Sequence, residues 1–370
     1  MIPITRLALG EEEASAAADV VRSGWLMNGP RVEEFERLVA EFVGADHAIA
    51  VSSCTTALHL GLLAAGVGPG DEVICPSFSF IATANAIRYA GATPVFVDID
   101  PRTYNLDAGL IDAAVTPRTR AILPVSQIGL PADLPEVMAV ASDHGLVVVE
   151  DAAPSLGAMI GGKRLGSISD ITCFSFDARK ILTTGEGGML TTNDAEAATR
   201  IRLLRAHAAS VSTADRERAS KVILETYPEV GFNYKMTDIQ GAIGVVQMGK
   251  VGAMIAERRR LADRYGTLLA DVEGVEVPFE PVGYQHVYQS YCVRLRTAKS
   301  QEQVMYEMLE RGVSTRRIFG IHDQRAFADL PAVHLPHTEA AMRETILLPM
   351  FVGLAVDEQD EVVSALKAIL

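Results

Sequence analysis

Residues 171–192 read ITCFSFDARKILTTGEGGMLTT, and Lys180 lies at the centre of this stretch. The segment Ile171–Phe176 is rich in β-branched and aromatic side chains, which is typical of a buried strand. The glycine-rich residues 184–188 predict a bend, and residues 189–192 predict a second short strand. Because burial disfavours the charged form of an amine, a lysine at the exit of a buried strand is a candidate nucleophile. The alternative is a solvated loop lysine, and the rest of the chain decides between the two.

Short apolar segments alternate with helical periodicity over the first half of the chain. This alternation predicts an α/β fold with a mainly parallel sheet covered by helices on both faces. The last two strands are joined only by the Lys180 loop, which allows one of them to run against the others. The predicted strands are Ala48–Val51, Glu72–Cys75, Pro94–Asp98, Ala121–Val125, Leu146–Glu150, Ile171–Phe176 and Gly188–Thr192, and the helices between them are Thr55–Leu63, Ile81–Ala90, Leu106–Ala114 and Leu134–Ser142.

The two ends of the chain carry further predicted elements. Two helices, Glu11–Ser23 and Arg31–Val43, precede the first strand. Thr237 or Asp238 is a candidate cap for one long helix that runs to Leu269 and leads into a smaller α+β unit. We therefore predict a large α/β domain over residues 1–245 and a small C-terminal domain over 246–370. The predicted elements of the small domain are the strands Tyr291–Leu295 and Ser314–Ile318 and the helices Glu302–Arg311 and Asp357–Ile369.

Composition limits the classes of protein to consider. The chain has 370 residues, of which 49% are hydrophobic, and its formal net charge is −14, which argues against nucleic acid and anionic membrane as partners. The 4 cysteines form no CxxC pair, as expected of thiols in a reducing compartment. No apolar run in the sequence is long enough to span a bilayer. These features predict a soluble cytoplasmic protein.

Four sets of residues that could bind a ligand or take part in a reaction follow the ends of predicted strands. Ser53-Cys54-Thr55 opens a helix whose free amides favour a phosphate group, and Phe80 can present an aromatic ring. Asp151 follows one buried strand and Lys180 follows another. Ligands of open parallel sheets bind where strands deliver their carboxyl ends, so we expect the four groups to meet there.

This combination matches the requirements of pyridoxal phosphate. That cofactor needs a lysine to hold its aldehyde as a Schiff base, an aspartate to keep its ring nitrogen protonated, a stacking ring and a phosphate anchor. Taken singly, each group has an ordinary alternative: Asp151 as a helix cap, Phe80 as a core residue and Ser53-Cys54-Thr55 as a plain helix start. Their occurrence together, in this order, favours the cofactor site.

At this point the sequence resembles the DegT/DnrJ/EryC1/StrS family of sugar aminotransferases, which are fold-type I enzymes that use pyridoxal phosphate. The resemblance implies Lys180 as the Schiff-base lysine, Asp151 as the partner of the ring nitrogen and Phe80 as the stacking ring. It also implies a homodimer with shared active sites. The segments that carry it are GWLMNGPRVEEFE (24–36), VSSCTTALHL (51–60), GPGDEVICPSFSFIATANAI (68–87), GATPVFVDIDPRTYNLD (91–107), VVVEDAAPSLGA (147–158), FSFDARKILTTGEGGML (174–190), VGFNYKMTDIQGAIG (230–244) and LLPMFVGL (347–354).

The resemblance assigns further residues to the cofactor and the substrate. The phosphate would be held by Ser53, Cys54, Thr55 and Ser175, and Asn233 would reach the phosphate of the neighbouring subunit. Within the family, runs such as DPRTYNLD and GVSTRRIF look most like enzymes of the perosamine synthase type, which aminate C4 of a nucleotide-linked 4-keto-6-deoxysugar. The donor would be an amino acid, with L-glutamate expected. The residues near substrate would be Trp25, Asn28, Glu186, Arg316 and His322. The alternative for Trp25 is that it anchors the core. The alternative for Arg316 and His322 is a plain surface role.

Several positions depart from the usual pattern of the family. Cys54 replaces a glycine before the phosphate-binding threonine, and its side chain crowds that turn. Pro154 and Leu156 stand where many members have polar side chains, which puts substrate recognition in question. Ile181 replaces an asparagine after the lysine.

Other functions remain as alternatives. With the same cofactor, the enzyme could aminate a cyclitol or another cyclic ketone, or act as a sugar dehydratase, although dehydratases of this family carry histidine at the position of Lys180. A non-catalytic regulatory protein could use the same fold, but retention of Lys180 and Asp151 argues against it. The segment 157–164, GAMIGGKR, resembles a phosphate loop but lacks the serine or threonine that binds magnesium, so we expect a hairpin turn. The pair His334 and His337 is interrupted by proline, and we expect no metal site.

Overall fold

The computed structural model describes residues 1–211, 216 and 219–370. The helices are α1 (Glu11–Ser23), α2 (Pro30–Val43), α3 (Cys54–Ala64), α4 (Ala82–Tyr89), α5 (Leu134–His144), α6 (Ala195–Arg205), α7 (Asp238–Met248), α8 (Val251–Leu269), α9 (Gln301–Glu310), α10 (Pro336–Glu344) and α11 (Val356–Lys367). The strands are β1 (His47–Val51), β2 (Glu72–Pro76), β3 (Thr93–Val97), β4 (Thr119–Ile122), β5 (Val147–Asp151), β6 (Met159–Ile160), β7 (Lys163–Arg164), β8 (Ile171–Ser175), β9 (Gly188–Thr192), β10 (Val275–Glu276), β11 (Tyr284–Gln285), β12 (Tyr291–Leu295) and β13 (Thr345–Leu348).

The predicted strands of the first half form one 7-stranded sheet in the order β1-β9-β8-β5-β4-β2-β3. The pairs from β8 to β3 are parallel, whereas β9 runs antiparallel to both of its neighbours. The mainly parallel sheet is therefore confirmed, and β9 is the strand that runs against the others. Because β1, β2, β5 and β8 point the same way, their carboxyl ends meet at one edge of the sheet.

Helices cover both faces of this sheet, as its apolar strands require. On one face, α3, α4 and α6 pack on Ile49, Val149 and Ile171. On the other face, α2 and α8 pack on Phe174, Met189 and neighbouring side chains. The rest of this second face is covered by α5, which packs on Ile74, Ile122 and Val148, so apolar clusters bury both faces of the large sheet.

A smaller unit follows α8 and has its own core. Its sheet, in the order β10-β12-β13, is antiparallel and packs with α8, α9 and α11. Ile2 belongs to the same cluster, since the first residues pair with the segment around Val313. The predicted boundary at 245/246 stays a prediction, although the structure places Ile2 with the later residues.

Three predicted elements were wrong. The segment 106–114 forms two short 3₁₀ turns, because the Asp107 carboxylate accepts a hydrogen bond from the Gly109 amide at 3.0 Å. The segment 314–318 is not a strand, since its backbone bonds go first to Ile2 and then to Leu347 rather than along one ladder. The long helix from residue 238 is two helices, α7 and α8, bent by 60° at Gly249-Lys250, where glycine weakens the helix.

Helices α2 and α7 are held together at unusually close range. A Cβ added at Gly241 would lie 2.7 Å from the backbone nitrogen of Val32, and one at Gly244 would lie 2.8 Å from the Phe35 ring. The Asp238 carboxylate accepts hydrogen bonds from the amides of Gly29, Val32 and Arg31 at 3.0, 3.0 and 3.3 Å. Asp238 therefore supplies the N-terminal cap that Gly29, without a side chain, cannot provide.

Among the described residues, no single helix combines the length and apolarity needed to cross a bilayer. The helices α7 and α8 reach that threshold only when taken together, and the 60° bend separates them.

Candidate active site

The carboxyl edge of the large sheet borders a cavity of about 430 Å³. It lies beside the small unit, which contributes Gln289, Ser290, Arg316 and Met350 to its wall. Most of the residues predicted from the sequence line this cavity: Ser53, Cys54, Thr55, Phe80, Asp151, Ser175, Lys180, Glu186 and Arg316. The tertiary structure thus brings together positions as far apart in the chain as Ser53 and Arg316.

Lys180 lies in the turn between β8 and β9. Its backbone N–H donates to the Asp177 carbonyl at 2.9 Å, and the Thr183 hydroxyl donates to the Phe176 carbonyl at 3.0 Å, so the turn is closed by its own residues. Removal from water lowers the pKa of the Lys180 amine, while the nearby Cys54 and Asp151 act in the opposite direction. A lowered pKa increases the fraction of neutral amine, which is the nucleophilic form.

Asp151 is the last residue of β5 and is 5% exposed. Its Oδ2 accepts a hydrogen bond from Thr83 Oγ1 at 2.8 Å, and its Oδ1 accepts one from the Ala153 amide at 3.1 Å. Burial raises the pKa of this carboxyl group, and the Thr83 bond, the Ala153 bond and Lys180 each lower it. A buried carboxylate with these partners is suited to a cationic N–H group on a ligand.

The start of α3 forms the third part of the site. Ser53 caps the helix by accepting from the Thr56 amide at 3.2 Å, and the first amides of a helix have no acceptor within it. Gly188 permits the close approach of β9, because a Cβ there would lie 2.4 Å from the Ser53 carbonyl oxygen. The exposed amides and the helix dipole favour an anion at this position.

Cys54 occupies the first position of this helix without blocking the cavity. Its Sγ lies 3.8 Å from the Cys173 carbonyl oxygen, to which the thiol donates. Burial and the neighbouring Asp151 raise the pKa of the thiol well above its ordinary value, so it stays neutral. The side chain that replaces the usual glycine is accommodated against β8.

The remaining lining residues differ in exposure. Phe80 is 64% exposed, with its ring centroid 6.5 Å from that of Phe319. Ser175 ends β8, and its hydroxyl accepts from the Asp177 amide at 3.3 Å. The Glu186 side chain is exposed, and its backbone carbonyl accepts from Gln240 Nε2 at 2.7 Å.

Four predicted residues do not line the cavity. Asn233 is exposed and accepts a hydrogen bond from Lys235 Nζ at 2.6 Å. His322 binds Ser77 instead, with Nδ1 and Oγ separated by 2.6 Å. Trp25 packs over Gly29, and its Nε1 and the Asn28 Nδ2 are buried without a hydrogen-bond partner among the described residues.

The departures Pro154 and Leu156 lie outside the cavity wall. Both are buried, and Leu156 is part of the apolar cluster under α2 and α8. These positions therefore contribute packing rather than polar contacts. Ile181 belongs to the same cluster.

The segment that resembles a phosphate loop forms the predicted hairpin turn. Residues 159–164 form the β6–β7 hairpin, whose turn is made by Gly161 and Gly162 in left-handed conformations. His334 binds Glu339 at 3.1 Å, and the described part of the chain contains no cluster of potential metal ligands.

Sequence reasoning missed several residues of the site. Thr83 lies three residues after Phe80 in the chain. This spacing is the only signal in the sequence that could have marked Thr83 as a residue of the site. Gln289 donates from Nε2 to the Arg179 carbonyl at 3.0 Å, so the small unit holds the residue that precedes Lys180. Arg258 fixes that segment by donating to the carbonyls of Gln289 and Met350 at 3.0 and 3.2 Å.

Three features of the cavity suit pyridoxal phosphate. It offers an amine with a lowered pKa at Lys180, a buried carboxylate at Asp151 and unsatisfied helix amides at the start of α3. These are groups suited to the aldehyde, the ring nitrogen and the phosphate of that cofactor.

Comparison with known proteins agrees with this fit. The model of the DegT/DnrJ/EryC1/StrS aminotransferase family matches residues 8–367. A GDP-perosamine synthase of Caulobacter vibrioides (strain ATCC 19089 / CIP 103742 / CB 15) is 41% identical over 374 residues, which cover 100% of this chain and 98% of that protein.

Two solved structures extend the comparison. DesI, determined in the presence of its TDP-sugar product, has a TM-score of 0.88 and 34% identity and covers 98% of this chain and 90% of its own. A Streptococcus pneumoniae protein solved in its PLP form has a TM-score of 0.91 and 26% identity, covering 98% and 97% of the two chains. The chain therefore belongs to the DegT/DnrJ/EryC1/StrS aminotransferase family and is a pyridoxal-phosphate-dependent aminotransferase.

Proposed function

We propose that the protein transfers an amino group from an amino acid, L-glutamate, to C4 of a nucleotide-linked 4-keto-6-deoxyhexose. The observation that carries the chemistry is the meeting of Lys180, Asp151 and the start of α3 around one cavity. The sugar is supported by the relatives, since one is a GDP-perosamine synthase and another was solved with a TDP-sugar product.

In this proposal the cofactor supplies an aldehyde that accepts the amino group and a ring that absorbs negative charge. Lys180 would hold the aldehyde, and Asp151 would keep the ring nitrogen protonated. The amides of Cys54 and Thr55, with the hydroxyl of Ser175, would hold the phosphate. Phe80 would stack on the ring.

Once its amine is free, Lys180 acts as the general base that removes the α-proton of the donor. Its lowered pKa suits this role, because the neutral amine accepts a proton at neutral pH. Thr83 supports Asp151 by stabilising the ionised carboxylate. Gln289 restrains the turn so that the amine stays within reach.

We propose further that two copies of the chain form a homodimer with shared active sites. Asn233 is exposed and does not line the cavity of its own chain, as expected of a residue that contacts a partner's site. The segment that precedes it in the chain exposes large apolar side chains: Val222 is 91% exposed, Leu224 86% and Val230 85%. Such exposed apolar groups favour a protein partner. Cytoplasmic location stays a prediction from composition.

The function is tested with the cofactor-loaded protein, L-glutamate and a panel of acceptors. The panel contains nucleotide-linked 4-keto and 3-keto sugars, a free keto sugar and a cyclic ketone related to cyclitols. We expect 2-oxoglutarate and one amino sugar to form in equal amounts from a nucleotide 4-keto sugar, as measured by mass spectrometry. Amination of the cyclic ketone alone, or loss of a sugar hydroxyl without amino transfer, contradicts the proposal.

A further inference from the structure

Residues 286–290 run between β11 and β12 along the wall of the cavity, and we call them the strap. On one side, two amides of the strap donate to the carbonyls of Gly129 and Ile128 at 2.9 and 3.2 Å. On the other side, the Arg258 guanidinium of α8 donates to two strap carbonyls at 3.1 and 3.0 Å. The backbone of the strap is therefore held from both sides.

Tyr288, in the middle of the strap, has a left-handed backbone conformation with a φ of 48°. A bulky side chain disfavours this conformation, so the surroundings must hold it. The direction of the chain changes here, and the next residue, Gln289, lines the cavity. With an ordinary helical or extended backbone at Tyr288, the side chain of Gln289 would point elsewhere.

His286 holds Tyr288 in this conformation. Its Nδ1 accepts a hydrogen bond from the Tyr288 amide at 2.9 Å, and the two buried rings stack with centroids 3.9 Å apart and planes at 8°. Burial and the nearby Arg259 lower the pKa of His286 to about 3, although the Gly129 carbonyl acts in the opposite direction. The ring is therefore neutral at neutral pH, and Nδ1 remains an acceptor.

The side chain of Gln289 is fixed at both ends of its amide. Its Oε1 accepts from Ser290 Oγ at 3.0 Å, and its Nε2 donates to the Arg179 carbonyl at 3.0 Å. Arg179 directly precedes Lys180. The conformation of Tyr288 is thus connected to the Lys180 turn by one side chain.

We propose that His286 is a positioning residue for amino transfer, although it does not line the cavity. By holding Tyr288 in the left-handed conformation, it directs Gln289 to the Arg179 carbonyl and so keeps the Lys180 turn in place. This inference rests on the role of Lys180 in the proposed function and extends that site to a buried histidine of the small unit.

The rate at which L-glutamate alone converts the bound cofactor, followed by absorbance, measures amino transfer without any sugar. His286→Phe keeps a ring for stacking but lacks the acceptor. We expect it to lower the saturating rate at least about 10-fold and to change the half-saturating glutamate concentration less than about 3-fold. His286→Asn places an oxygen near the position of Nδ1 and should recover most of the loss. A role in stacking alone predicts the reverse order of the two variants.

A double variant tests whether His286 acts through Gln289. Gln289→Ala alone should lower the saturating rate about 10-fold, and the addition of His286→Phe should lower it less than about 2-fold further. Independent losses, which multiply to about 100-fold in the double variant, would overturn the proposal.

Hydrogen exchange of the cofactor-loaded protein reports on the turn directly. Amides of residues 177–184 should exchange at least about 10-fold faster in His286→Phe and in Gln289→Ala than in wild type. The matched control is Val362→Ala, which removes methyl groups from the core of the small unit. It should lower the melting temperature and leave both the exchange of the turn and the saturating rate within about 2-fold. Unchanged exchange in His286→Phe contradicts the proposal.

Tyr288→Asn and Tyr288→Leu give a second comparison if His286→Phe does not fold. The two new side chains have similar shapes, but asparagine tolerates a left-handed backbone and leucine resists it, so the asparagine variant should react at least about 5-fold faster. A role in apolar packing alone predicts that the leucine variant is faster.

Failure of the proposed function has a different sign, since L-glutamate would then not convert the cofactor even in wild type. The exchange rates of the turn would still decide whether His286 holds it.

Discussion

Thr83 donates a hydrogen bond from its Oγ1 to Oδ2 of Asp151 at 2.8 Å, and both side chains are buried. The bond opposes the effect of burial, which raises the pKa of Asp151. A threonine in the first turn of α4 thus helps to keep the carboxylate at the end of β5 ionised.

Thr83→Val should remove this support and raise the pKa of Asp151 further. Because the proposed role needs the ionised carboxylate, the acidic limb of the kcat–pH profile should move to higher pH by about one unit. Thr83→Ser keeps the hydroxyl and should restore the wild-type profile. An unchanged acidic limb in the valine variant would show that the bond does not govern Asp151.

Lys180→Ala should lower amino transfer by at least about 10³-fold, because the variant lacks both nucleophile and base. Borohydride treatment of the cofactor-loaded wild type should attach the cofactor to the peptide that contains residue 180, as read by mass spectrometry. The variant should melt at a similar temperature, which separates loss of chemistry from loss of fold. Retained transamination in Lys180→Ala would refute the assignment.

Asp151→Asn should reduce turnover by about 100-fold and affect substrate affinity much less. The physical reason is that a neutral amide does not favour the protonated ring nitrogen, whereas substrate contacts remain in place. Turnover and the affinity for an unreactive substrate analogue are measured side by side. Equal losses in both quantities would count against the charge-stabilising role.

Glu150, adjacent to Asp151, is fully buried among hydroxyl groups. Its carboxylate accepts from Ser126, Ser169 and Thr172 at 2.6, 3.1 and 3.2 Å, yet burial raises its pKa from 4.5 to about 7. The folded state therefore binds a proton more tightly than the unfolded state, so this group stabilises the fold less as pH rises from 4.5 to 7.

Glu150→Gln should remove that pH dependence. We expect the variant to lose less stability than wild type between pH 4.5 and 7, with a difference of at most about 3 kcal/mol, as measured by urea unfolding across the range. An identical slope in the two proteins would mean that Glu150 stays ionised in the fold.

Asp238→Ala should destabilise the protein by about 1–3 kcal/mol, because three backbone amides at the start of α2 lose their acceptor. Asp238→Asn retains one side-chain oxygen and should cost less. Thermal unfolding of the two variants gives the comparison. Equal stability of Asp238→Ala and wild type would show that water caps the helix as well as the carboxylate does.

The strands of the large sheet, and the positions of Asp151 and Lys180, were predictable because they depend on the local sequence. Alternation of apolar strands with helical segments specified a mainly parallel sheet, and the position of Asp151 and Lys180 after buried strands placed both at its carboxyl edge. The errors at 106–114, 314–318 and Gly249 arose where an aspartate side chain, a distant strand or a helix break overrode apolar periodicity.

By itself, the sequence determined the order of the elements, the family and the chemical type of the groups at the strand ends, because these depend on local composition and spacing. Only the tertiary structure decided that Thr83 binds Asp151, that Gln289 restrains the Lys180 turn and that His322 turns to Ser77. Such contacts join residues far apart in the chain. Which groups pair is decided only when the packed helices and sheet bury polar groups, because each buried group then needs a hydrogen-bond partner within reach.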